Sequence, residues 1–189
     1  MTALYLDAGQ RATAQHEAAH AIAAILAGLV VHRVTIHPTT TRRGIDGVTT
    51  TGYPDRVWPV RTSRHADRVV SAAGYAWEAL ILRSPVKGLR NSWGDRAAVT
   101  GWQWWTGVVV AAWWLRRPAV RRAVREVAAT AHSARRGHVG GRAVERIAEE
   151  LGLFPGHSIP DSCPGVLWPR ITVRPRRLRP TAHAPRCSR

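Results

Sequence analysis

The chain has 189 residues, 45% of them hydrophobic, which is enough to close one domain core and too apolar for global disorder. Its formal net charge of +16 is unevenly spread: residues 1–115 carry 12 basic and 7 acidic side chains, residues 116–189 carry 16 and 5. Two cysteines, Cys163 and Cys187, exclude a disulfide framework, and MTALYLDAGQR has no basic segment leading into an apolar run, so the expected setting is cytoplasmic.

Residues 12–27 read as a helix. The segment is rich in alanine, places Ala14, Ala18, Ala21, Ile22, Ile25 and Leu26 at helical spacing, and stops at Gly28. VVHRVTI (30–36) is β-branched and reads as a strand ending at Pro38, and VTTTGY (48–53) as a second strand in a hairpin or small sheet. SRHADRVVSAAGYAWEALIL (63–82) is a second helical pattern closed by Ser84-Pro85, and SPVKGLRNSWG is expected to be a loop leading to Asp95.

Residues 97–115, AAVTGWQWWTGVVVAAWWL, read as one uncharged helix with five of the nine tryptophans. Its length approaches that of a membrane span, but Gln103, two glycines and centrally placed tryptophans favour a buried central helix, so membrane contact is the lesser expectation. Residues 119–131 and 139–151 read as amphipathic helices, the second with Val144, Ile147, Ala148 and Leu151 on one face. After Pro160 the sequence turns Pro- and Arg-rich. The expected organisation is a domain over 1–158 and a basic tail over 159–189.

The chemistry-bearing stretch is AQHEAAHAIAAILAG (14–28). Residues four apart on a helix share a face, so His16 and His20 can present imidazole nitrogens to one ion. Glu17 lies on the adjoining surface, within reach of a water at that ion and not itself a ligand. Two ligands and a base on one rigid element are the mechanical content of H-E-x-x-H in zinc peptidases. A catalytic zinc needs a third protein ligand and an open position. Two carboxylates are candidates, and the residues alone leave the choice open: Asp95 at a helix start, whose bland role is capping, and Glu78 inside the second helix, whose alternative role is to orient a ligand histidine.

The run HEAAHAIAAILAGLVVHRVTIHP, the TGY at 51–53, SAAGYAWEALIL and NSWGDRAAVTG together resemble, in order and spacing, the zinc peptidase domain of FtsH-type ATP-dependent proteases over about residues 13–105. The resemblance implies a mainly α fold with a small β-sheet (α+β), zincin-like, with the HExxH helix central. It implies Zn2+ bound by His16, His20 and Asp95, with Glu17 as general base and Glu78 behind a ligand. The pattern departs at Ala19, where the family usually has glycine, at Tyr75, where it has arginine, in the Trp-rich segment, which matches the family's A-T-x-x-A-R segment poorly, and in the basic tail, which has no counterpart. No G-x-x-x-x-G-K-[ST] occurs in these residues, so an unfolding motor is expected to be a separate partner, an ATPase or adaptor.

The expected activity is ATP-independent endopeptidase hydrolysis of a polypeptide substrate. VTTTGY would hold an extended peptide by backbone pairing, and is equally readable as an ordinary hairpin strand. The alternative is a basic nucleic-acid-binding or membrane-associated protein with a structural or inactive zinc site, using RPRRLRP or residues 97–115. Cys163, His183 and Cys187 lack ligand spacing and are assigned no role.

Overall fold

The computed structural model describes residues 2–41, 44–52, 60–99, 101–134 and 137–153. The expected basic tail, Tyr53 of the TGY element, and Cys163, His183 and Cys187 lie outside them. The described chain is mainly helical with a small antiparallel sheet.

Helix α1 (Thr2–Leu26) is the centre of the molecule and packs on neighbours from every side. From Ala14 to Ala27 nearly every side chain is buried, and half of the positions are alanine, which lets adjacent backbones approach closely. The helix ends in paired C-terminal bonds: Leu29 N–H donates to Ala24 O at 2.8 Å, and Gly28 N–H to Ile25 O at 2.9 Å. Strand β1 (Val30–Thr41) follows directly and pairs with β2 (Gly44–Gly52), with Val34 opposite Thr49 and Ile36 opposite Gly47. Val31, Val34 and Ile36 are buried in the core, so β1 joins the sheet to the same apolar interior as α1.

Helix α2 (Val60–Leu80) lies against α1 and brings the fully buried Trp77 into the core. Residues 84–94 are not the expected loop. Two short helices stand there, α3 (Pro85–Asn91) and α4 (Trp93–Ala98), hinged at Ser92. Pro85 occupies a first-turn position, where its missing N–H costs nothing. The expected single helix over 97–115 is also corrected. Val99 is extended and Gly101 has φ of 61°, so the chain breaks between α4 and α5 (Trp102–Leu115). No described helix is long and apolar enough to cross a membrane.

Helix α5 buries Trp104, Gly107, Val110, Ala111, Trp114 and Leu115, mainly against α2, so the expectation of a buried helix holds for one face only. Helix α6 (Pro118–Ser133) packs on α1 through Val120, Val124 and Val127. The segment read as one helix over 139–151 divides into β3 (His138–Gly140) and α7 (Gly141–Glu150). Strand β3 pairs antiparallel with β1, giving the sheet order β2-β1-β3 and leaving β2 at an edge.

Candidate metal centre

Three elements converge on one point. Helix α1 contributes His16 and His20, one turn apart, with their rings 4.8 Å apart and inclined at 68°. Helix α4 contributes Asp95, whose Oδ2 lies 3.3 Å from His16 Nε2 and 3.4 Å from His20 Nε2. The three ligand atoms fall within 4.8 Å of one another. Two ligand atoms at about 2.05 Å from a tetrahedral zinc are about 3.3 Å apart, so the two Asp–His edges already have the span of a zinc polyhedron.

The outer ring nitrogens explain why the inner ones point inward. His20 Nδ1 lies 2.6 Å from the Val70 carbonyl of α2, a group that only accepts, so Nδ1 carries the proton. His16 Nδ1 donates to Glu78 Oε1 at 2.7 Å, and Asn91 Nδ2 donates to both Glu78 oxygens at 3.0 Å. With Nδ1 protonated, each neutral imidazole aims a lone pair at the Asp95 carboxylate. Two lone pairs facing an anion repel unless a cation stands between them. His20 Nε2 accordingly is buried without a hydrogen bond, a cost that a metal ion removes. The residues present therefore fit a zinc ion.

Without a metal, the same carboxylates favour protonation of the imidazoles. Burial lowers the pKa of His16, but the bonds to Asp95 and Glu78 and the charge of Glu17 outweigh it and lift it to about 10. For His20 burial also lowers the pKa, and the Asp95 carboxylate reverses the effect, leaving it raised. Burial raises the Asp95 pKa, and the two imidazoles override it and hold the carboxyl well below the usual range. Glu78 moves the same way: burial raises it, and the His16 and Asn91 bonds bring it down.

Glu17 is buried beside the centre. Thr49 Oγ1 of β2 lies 2.8 Å from Glu17 Oε2 and 2.9 Å from the Glu17 carbonyl, and its one proton is shared between these two acceptors. The edge strand thus reaches the carboxylate expected to act as base. Gly74 of α2 completes the enclosure: a Cβ there would fall within 2.6 Å of Nε2, Cε1 and Cδ2 of His16.

All five expected site residues come together. The two carboxylates left open by the residues are distinguished by the atoms they face: Asp95 meets both Nε2 atoms, whereas Glu78 meets Nδ1 of His16 only. Sequence reasoning missed Thr49, the Val70 carbonyl, Gly74 and Asn91. None stands at a ligand spacing, and each acts across a tertiary contact that the linear pattern does not encode. No family model matches the chain, and no curated protein matches it.

Proposed function

We propose that this chain is a zinc-dependent endopeptidase, FtsH-like and zincin-like, ATP-independent on its own, and cytoplasmic. The observation that carries the reading is the convergence of His16 Nε2, His20 Nε2 and Asp95 Oδ2, with Glu17 on the same helix turn. His16, His20 and Asp95 hold the metal, and Glu78 and the Val70 carbonyl fix the tautomers that make the histidines ligands. Bound zinc supplies Lewis acidity toward a peptide carbonyl and lowers the pKa of water toward about 7.

The remaining work belongs to the chain. Glu17 takes a proton from the attacking water and passes it to the departing amine. Thr49 fixes the plane of that carboxylate through Oε2, so the base meets the water in one orientation. Among the described residues β2 pairs with β1 on one side only, and its outer edge would add an extended substrate segment as a further strand. Backbone pairing selects for extended polypeptide and little for side chains, which suits an unfolded substrate delivered by a separate ATPase or adaptor.

The test uses unfolded casein with zinc-loaded wild type and Glu17→Gln. Wild type cleaves, and the variant keeps its zinc and loses cleavage by at least about a hundredfold, the scale of a lost general base. Equal cleavage by a zinc-replete Glu17→Gln protein refutes the mechanism.

A further inference from the structure

The sequence feature that the centre does not use is the cluster of tryptophans on α4 and α5. Trp93, Trp102 and Trp105 are 73%, 70% and 49% exposed, and Val109 is 57% exposed. Trp102, Trp105, Val109 and Arg116 stand at i, i+3, i+7 and i+14, one face of α5 running for roughly 20 Å. Trp93 joins that face, because Trp93, Trp102, Trp104 and Trp105 border one shallow depression of about 450 Å3.

The Trp105 ring is held by its neighbours. Trp105 meets Trp104 edge-on at 5.0 Å and Tyr75 at 6.0 Å, while Arg96 lies over the Trp104 ring at 5.3 Å. Leaving such rings in water costs free energy in proportion to their apolar area, and nothing in the peptidase chemistry requires it. The charged residues that this face itself carries are basic: Arg96 borders the depression, and the exposed Arg116 ends the stripe.

We propose that this face is an interfacial membrane-binding surface, on which α4 and α5 lie against an anionic bilayer with the tryptophans at headgroup depth. Indole rings favour that depth because one edge is apolar and the N–H is polar. The arginines suit the negative lipids of a cytoplasmic leaflet. Val109 continues the stripe as an aliphatic surface, which acyl chains match and nucleobases do not. A second copy placed face to face would bring the same arginines together, which like-charge repulsion opposes. The near-span length of the apolar run thus receives a different meaning: the helix lies on the membrane and does not cross it.

The proposal is tested on the full chain with vesicles of phosphatidylcholine alone and of phosphatidylcholine with phosphatidylglycerol, followed by flotation. Brominated acyl chains serve as tryptophan quenchers. Wild type floats with the anionic vesicles and its emission is quenched. Trp102→Ser with Trp105→Ser weakens flotation by about tenfold or more and removes most of the quenching, because binding follows the apolar area inserted. Circular dichroism matching wild type checks the fold. Should that variant fail to fold, Arg116→Glu carries the test, reducing binding to anionic vesicles and leaving the small binding to neutral ones unchanged.

Three results overturn the proposal. Wild type remains unbound to anionic vesicles; or the tryptophan variant floats as well as wild type, so that the tail arginines carry the attachment; or wild type is a dimer that the tryptophan substitutions dissociate.

Discussion

Gly74→Ala perturbs the centre without replacing a ligand. The added methyl would sit within 2.6 Å of three atoms of the His16 ring, against an ordinary carbon contact of about 3.5–4.0 Å. The ring must retreat by roughly 1 Å, several times the tolerance of about 0.2 Å on a metal–ligand distance. It cannot do so freely, because Nδ1 is held by the buried Glu78 carboxylate. Overpacking of this kind costs about 1–3 kcal/mol of stability. Zinc affinity should fall by at least about tenfold, the scale seen when a ligand histidine loses its orientation. The assay is competition for zinc with a chromophoric chelator, with thermal unfolding of the metal-free variant measured alongside. Wild-type zinc affinity in Gly74→Ala would refute the geometry assigned to His16.

Glu78→Gln keeps a hydrogen-bond acceptor for His16 Nδ1 and removes its charge, so zinc should bind about 10–100-fold more weakly and yet remain bound at high concentration. Thr49→Val should leave zinc affinity unchanged and lower kcat by about tenfold, part of the contribution of a well-placed base, with peptide cleavage as the readout. The shifts of His16 and Asp95 set an expected pH dependence for the metal-free protein. His16, raised from 6.5 to about 10, stabilises the fold fully below pH 6.5, and this is lost as pH rises toward about 10. Asp95, lowered from 3.8, stabilises it above pH 3.8, and this is lost on further acidification. The Tm of metal-free protein should therefore fall between pH 6.5 and 9. Zinc, which displaces those protons, should raise Tm more at pH 9 than at pH 6, and a flat Tm across that range would contradict the proton-held cluster.

The parts of the fold that were legible in the sequence carry a local signal. The alanine spacing before Gly28, the β-branched run at 30–36 and the pattern over 63–82 each correspond to an element, although α1 begins at Thr2 and not at residue 12, and β1 runs through Pro38 to Thr41. Strand β3 was missed because a His-Val-Gly tripeptide has no periodicity of its own, and pairing with Arg33–Thr35 makes it a strand. The break between α4 and α5 was missed because apolar character runs across it unchanged, while the backbone turns at Gly101. Helices α3 and α4 were hidden by Gly88, Ser92 and Gly94, which read as loop residues in segments too short to show a helical period.

The site divides along the same line. His16, Glu17 and His20 were legible because four-residue spacing on a helix is a local geometric fact. Asp95 lies 79 positions from His16, so nothing local relates them, and only a family resemblance preferred it to Glu78. Placing the two carboxylates on opposite nitrogens of the same ring requires α2 and α4 to be docked against α1, which is information about packing.

The proposed peptidase requires one ion held by His16, His20 and Asp95. Elemental analysis of wild type, His20→Ala, Asp95→Ala and Glu78→Ala, purified side by side in limiting zinc, tests it directly. Wild type should carry about one zinc per chain, the number for a single three-ligand site. His20→Ala and Asp95→Ala should carry almost none, and Glu78→Ala should retain a partial load. Full zinc in Asp95→Ala with loss in Glu78→Ala would contradict the ligand set.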